Sequence, residues 1–232
     1  MNAGTRILRI PGPVGDIDCA LDLPADGPPA AVAVVAHPHP VHGGTRDNKV
    51  VQTIVRALLQ AGCACWRPNF RGVGDTAGTF DEGEGETEDL LAVVAHAADD
   101  ESVRHLQAPT RLYLGGFSFG SFVQAQVAQR LLASGLAVGS DDDAGRGERW
   151  RLAPMILVGT AASRFQVPAV GPDAIVLHGE TDDVVPLAAV MDWARPQNLP
   201  VTVLPGAGHF FHGRLTQVKS LILRNLGHAE AG

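Results

Sequence analysis

Apolar positions recur along this chain in two rhythms. Short apolar runs of strand type alternate with longer stretches in which apolar residues return every three or four positions, the pattern of a mostly parallel sheet with helices on both faces. The first two runs depart from it. Arg6 to Ile10 and Ile17 to Leu23 are separated by too little chain for a crossover helix, which predicts an antiparallel start. Ala31 to Ala36 carries no polar side chain, as a strand covered on both faces should, and runs into His37-Pro38-His39-Pro40.

A helix is predicted from about Asp47, with Val50, Val51, Ile54, Leu58 and Leu59 on one stripe and Gly62 as its left-handed stop. Cys63 to Phe70 reads as the next strand. The glycine-rich stretch Arg71 to Glu86 reads as a loop, and Thr87 as the cap of a helix to about Asp99. Leu112 to Leu114 is a strand and Ser118 to Ala133 a helix. Ser134 to Arg151, with four glycines and three consecutive aspartates, is expected to be an exposed, mobile excursion. Met155 to Val158 and Ala174 to His178 are further strands. Pro186 falls in the first turn of a helix to about Trp193, Val201 to Leu204 is a last strand, and Leu215 to Leu226 a closing helix. About eight strands and their helices take up residues 1–232 as a single domain.

Composition narrows the function classes. At 45% apolar and 19% charged the chain builds a substantial core. The net charge of −7 and the lack of a Lys/Arg cluster argue against nucleic acid or a membrane surface as partner. No apolar run approaches a membrane span or a signal peptide, so a cytoplasmic, unprocessed chain is expected. Three cysteines make no disulfide framework, and Cys63 and Cys65, on one face of a strand, read as buried thiols. Glycine (27) and proline (16) are abundant, so many turns join many short elements.

The chemistry concentrates at Gly116-Phe117-Ser118-Phe119-Gly120, between a strand and a helix. A nucleophile elbow holds its serine in a strained turn, where small residues two before and two after leave room for the backbone. Such a turn aims Ser118 out of the sheet's carboxyl edge and sets the Phe119 amide at the positive end of a helix, where it can donate to an oxyanion. A dinucleotide loop fits worse, because G-x-G-x-x-G is absent. Serine needs a base and the base an orienting acid, in the order Ser, Asp, His. Asp182 follows the strand ending at His178 and His209 follows the strand ending at Leu204, so both fall at the same edge as Ser118. Asp183 is the competing acid, more readily solvated or capping the next helix.

A second oxyanion donor is expected from the loop after Ala36. Pro38 and Pro40 have no N–H, which leaves His39 or Val41, with His39 favoured. His37, His39 and His42 lack a Cys or carboxylate companion, so no metal is expected, and most loop histidines at this edge read as supporting hydrogen-bonders. Asp81 to Glu86 lacks the glycine and glutamate spacing of a calcium loop, and Arg71-Gly72-Val73-Gly74-Asp75 lacks the Lys-Ser/Thr of a phosphate loop. Phe117, Phe210 and Phe211 flank the nucleophile and base and are candidate walls of a substrate pocket.

These residues resemble the α/β-hydrolase superfamily, and within it the small lidless bacterial serine hydrolases of the carboxylesterase and dienelactone-hydrolase-like group. The likeness spans roughly Val32 to Phe211 and rests on His37 to Pro40 running to Gly43-Gly44, on Asn69 to Gly74, on the elbow, on Gly179 to Asp182 and on Gly208 to Phe211. It departs at Asp75-Thr76 and in the segment Asp141 to Gly147, neither of which touches the triad. The resemblance implies Ser118 as nucleophile, Asp182 as acid, His209 as base, and the Phe119 and His39 amides as oxyanion donors. It also implies that lids enter between the strands at Met155 to Val158 and Ala174 to His178, where Gly159 to Asp173 is too short to form one. The expected activity is cofactor-independent cleavage of a small carboxylic ester with a short acyl chain, by a monomer or homodimer. A thioesterase, a peptidase or a non-catalytic ligand-binding relative would share this sequence pattern.

Overall fold

Ten strands form one mixed sheet in the computed structural model, which describes residues 4–139 and 148–229. In chain order they are β1 (Arg6–Gly12), β2 (Gly15–Asp22), β3 (Ala31–Ala36), β4 (Cys63–Pro68), β5 (Thr110–Phe117), β6 (Ala137–Val138), β7 (Trp150–Leu152), β8 (Ile156–Val158), β9 (Ile175–Gly179) and β10 (Val201–Leu204). The helices are α1 (Lys49–Gln60), α2 (Glu84–Asp99), α3 (Phe119–Ala133), α4 (Leu187–Ala194) and α5 (Leu215–Ala229). The main path runs β1-β2-β4-β3-β5-β8-β9-β10. β1 and β2 pair antiparallel, β2 pairs antiparallel with β4, and every later pairing is parallel, so the expected antiparallel start is present.

Two apolar layers cover the sheet, and the strands divide between them with the period of two that a pleat imposes. Val32, Val34, Leu112 and Leu114 join α2, α3 and α4 on one face. Ala33, Val35, Tyr113 and Phe117 join α1 and α5 on the other. α1 begins one residue past its cap, where the Asn48 side chain accepts from the Val50 amide, and stops at Gly62 in the left-handed region (φ 81°). Among the described residues no helix is long and apolar enough to cross a membrane.

Three local expectations change. α2 begins at Glu84, not after Thr87: the Glu86 carboxylate accepts the Gly83 amide at 2.8 Å and the Asp81 amide at 2.9 Å, satisfying donors that a helix start leaves open. Thr87 then donates its hydroxyl back to the Gly83 carbonyl instead of capping. Pro186 is the residue before α4 rather than within its first turn. The stretch 134–151 is not wholly an excursion. Its flanks form β6 and β7, Trp150 is buried, and β7 pairs with Thr110 to Leu112. β8 pairs β5 only from Gly115 to Phe117, so without β7 the first part of β5 would present an open ladder on that side. The rest of the expected excursion, 140–147, lies outside the described residues.

Charge is also buried where the hydropathy pattern shows none. Arg67, within β4, donates from Nε to Asp22 Oδ2 at 2.7 Å and from Nη1 to Asp47 Oδ1 at 3.1 Å. Arg71 makes a two-pronged contact to Asp89 at 2.8 and 2.9 Å, tying the turn after β4 to α2. Cys19, Cys63 and Cys65 are buried and free of disulfides, and burial pushes the Cys19 and Cys65 thiols up, which keeps them protonated.

Candidate active site

Ser118 stands between β5 and α3 with φ 55° and ψ −116°, a conformation an L-residue holds only when its surroundings enforce it. The enforcement is visible. A Cβ on Gly116 would collide with the backbone of Gly120, and one on Gly120 would lie 2.5 Å from the Ala36 carbonyl oxygen and 2.6 Å from that of His37. The Ser118 amide donates to the Val158 carbonyl at 2.8 Å, fastening the turn to β8. Phe119 is the first residue of α3, so its amide lacks an intrahelical acceptor and sits at the positive end of the helix.

The loop after β3 touches this elbow through Gly120. His39 precedes a short 3-10 turn, Pro40–His42, and its carbonyl accepts the amides of His42 and Gly44, so its own amide is left outside that turn. Its ring lies 5.0 Å from that of Phe119 and 4.7 Å from that of Phe80. Burial, reinforced by His42 and Arg164, holds its pKa below the ordinary histidine value. His37, deeper in the loop, uses both ring nitrogens: Nδ1 pairs with the Pro38 carbonyl at 2.7 Å and Nε2 accepts the Phe70 amide at 2.9 Å.

That arrangement requires a neutral ring, and burial pushes the His37 pKa down from 6.5 to about 4. The unfolded chain therefore takes up a proton below pH 6.5 that the folded chain refuses until about pH 4, so acid favours unfolding across this window. Each pH unit of that window costs ~1.4 kcal/mol for this one site. Urea midpoints measured from pH 7 to pH 4 are expected to fall more steeply for the native sequence than for His37→Gln. Equal slopes would show that His37 is protonated in the fold.

Asp182 and His209 leave adjacent parallel strands, β9 and β10, where Gly179 lies opposite Leu204. His209 Nδ1 lies 2.7 Å from Asp182 Oδ2, while Asp182 Oδ1 accepts the amides of Val184 at 2.9 Å and Val185 at 2.7 Å. Burial would raise the Asp182 pKa, but the His209 hydrogen bond and these amides outweigh it and hold the carboxyl below the usual range. A carboxylate at Oδ2 assigns the His209 proton to Nδ1 and leaves Nε2 as the acceptor. Asp183, the competing acid, is exposed.

His209 sits beside the elbow. The His209 ring is 4.9 Å from that of Phe117, and a Cβ on Gly159, the residue after β8, would lie 3.3 Å from its Cε1. Phe117 therefore packs against the His209 ring. It and Phe211 are fully buried in the layer shared with α1 and α5, which corrects their expected place in a pocket wall; Phe210 is 45% exposed. The period of two along β5 sets Phe117 on the face of Tyr113, a signal present in the sequence itself.

Two aromatic residues that the sequence pattern does not single out also lie at this edge. Phe80 and Phe165 are half-buried beside His39 and Phe119 and form an aromatic wall there. The described residues also include buried side-chain atoms without a hydrogen-bond partner at this edge: His39 Nδ1, Thr160 Oγ1 and His178 Nδ1. Such atoms cost stability and collect where a fold serves chemistry.

No family model matches the chain. It is 30% identical over 220 residues to uncharacterized protein RP471 of Rickettsia prowazekii, covering 91% of this chain and 84% of that protein. The crystal structure of XC6422 from Xanthomonas campestris, a member of the a/b serine hydrolases without lid, superposes with a TM-score of 0.79 at 31% identity, over 98% of this chain and 96% of that one. An alpha-beta serine hydrolase homologue from Coxiella burnetii superposes with a TM-score of 0.72 at 34% identity, over 97% and 98% of the two chains.

Proposed function

Because the chain belongs to the lidless α/β serine hydrolases, we propose that it cleaves carboxylic esters with short acyl chains through an acyl-enzyme on Ser118. The observation that carries this reading is the 2.7 Å pairing of His209 Nδ1 with Asp182 beside a serine held at φ 55°. In the first half-reaction Ser118 Oγ bonds to the ester carbonyl carbon as His209 Nε2 takes its proton. Asp182 fixes the tautomer and stabilises the imidazolium. The oxyanion is met by the Phe119 and His39 amides. The carbon–oxygen bond to the alcohol then breaks, and the alkoxide leaves with the proton held on His209. Water repeats the sequence in reverse roles: His209 takes its proton, hydroxide bonds to the acyl carbon, and Ser118 leaves with its hydrogen restored.

The preference for short chains rests on the open edge. The segment between β8 and β9, residues 159–174, contains neither helix nor strand, so it supplies no cap against which a long acyl chain could be buried. A fluorophosphonate probe is expected to label Ser118 in the folded protein and to be blocked by prior heat denaturation. p-Nitrophenyl acetate and butyrate should show higher kcat/KM than the octanoate and palmitate. Absence of labelling defeats the serine mechanism. A preference for palmitate defeats the open-site argument, and faster turnover of an acyl thioester than of the matched oxygen ester would reassign the bond.

A further inference from the structure

His178, the penultimate residue of β9, is fully buried and lies on the acid's side of the site. Its Nε2 is 2.9 Å from the Val185 carbonyl oxygen and 3.6 Å from Asp182 Oδ2, the oxygen that also receives His209. Two acceptors at one nitrogen require a proton there, so Nε2–H donates to Val185 and its positive end faces the carboxylate. The other nitrogen, Nδ1, is buried with no partner. A leucine in this place would leave the buried Val185 carbonyl without this donor, so the imidazole serves the turn as well as the packing.

We infer that His178 is a positioning residue for the acid: its Nε2–H ties the Val185 carbonyl to the end of β9, closing the Asp182 to Val185 turn so that Oδ2 points at His209. The turn is otherwise held by Asp182 itself, whose Oδ1 accepts the Val184 and Val185 amides. Those two bonds fix Oδ1 against the turn, and the near end of the turn meets the sheet through the amides of Glu180 to the Leu204 carbonyl at 3.1 Å and of Asp182 to the Gly179 carbonyl at 3.4 Å. His178 ties the far end, at Val185, to β9. The inference rests on the reading of Ser118, His209 and Asp182 as the working triad.

The ring also keeps out of the charge exchange. The titratable groups that act on it are Asp182, four residues on in the turn after β9, and His209 from the loop after β10. Burial lowers the His178 pKa, His209 lowers it further, and the Val185 carbonyl and Asp182 oppose them without prevailing. His178 therefore stays neutral while His209 carries the transient proton, and Asp182 faces one cation rather than two.

The test uses the full chain carrying His178→Phe, which keeps a ring and removes the N–H, and His178→Gln, whose terminal amide restores a donor near Nε2. His178→Phe is expected to lose about 10- to 100-fold in kcat on p-nitrophenyl acetate, the range typical when a group that orients a functional residue is removed. KM should stay unchanged, because the residue touches no substrate. The acid limb of the kcat profile is expected to move to lower pH, since a misaligned Asp182 stabilises the His209 imidazolium less. His178→Gln should recover most of kcat and the native acid limb.

A His178→Phe protein with native kcat and pH profile overturns the inference, as does an acid limb that moves to higher pH. Should His178→Phe fail to fold, a folded His178→Gln protein decides: near-native kcat supports the inference, and a tenfold loss or more overturns it. Fluorophosphonate labelling of the native protein separates the two levels. No labelling removes the triad itself, whereas labelled native protein with a kinetically native His178→Phe removes only the role given to His178.

Discussion

Ser118→Ala is expected to lower kcat on p-nitrophenyl acetate by about 10^4-fold or more while leaving the fold intact. Both halves follow from the elbow. The hydroxyl is the nucleophile in the proposed mechanism, and no other side chain of the turn can replace it. Structurally little is lost, because the Ser118 side chain makes no capping hydrogen bond to α3 and alanine carries the same Cβ into the same strained backbone. The amide that ties the turn to Val158 remains. The check is paired: turnover of the ester, and the urea midpoint of the same preparation. Activity within tenfold of the native protein would remove Ser118 from the chemistry. A collapsed midpoint would show instead that the hydroxyl holds the turn.

The largest loss of stability is expected at Asp22, far from the nucleophile. Asp22 faces Arg67 through a 2.7 Å hydrogen bond between side chains that are both essentially buried, and it also accepts from the Thr5 hydroxyl at 2.6 Å. Removing one partner of a buried ion pair leaves the other charge without compensation, which costs roughly 3–5 kcal/mol. Arg67 keeps its contacts with the Arg46 carbonyl and with the more exposed Asp47, so Asp22→Ala is expected at the lower end of that range. Equilibrium urea unfolding gives the value directly. The double change Asp22→Leu with Arg67→Met removes both charges and is expected to recover most of the loss. A loss below about 1 kcal/mol for Asp22→Ala would mean that Arg67 reaches water after the change.

These two residues mark how far the sequence carries. Ser118 is legible because an elbow is a local object: the glycines at 116 and 120, a strand before and a helix after lie within a few residues of one another. Asp182 and His209 are legible for a topological reason, since each follows a strand, and parallel strands deliver their ends to one edge. Asp22 and Arg67 give no such signal. The polar residue at each position reads as a break in an apolar run, and only the antiparallel pairing of β2 with β4, across 45 residues of sequence, brings the charges together.

The same boundary separates the remaining findings. Hydrophobic periodicity and the short connection between the first two runs by themselves determined the eight strands of the main path, the antiparallel start and the two covered faces, because a strand's period of two and a helix's stripe are written residue by residue. Tertiary structure decided which exposed-looking segment completes the sheet. β6 and β7 are too short to show a period, and they exist because β5 offers Thr110 to Leu112 an unfilled ladder. It also decided which aromatic rings face the site and which support it. Phe117 and Phe211 turn into the core, while Phe80 and Phe165, distant in sequence, come to stand beside His39. His178 belongs to this second group. The chain placed a histidine at a strand end, but the Val185 carbonyl and the Asp182 carboxylate meet its Nε2 only when the turn folds back over β9, because hydrogen bonds depend on distances that sequence order does not specify.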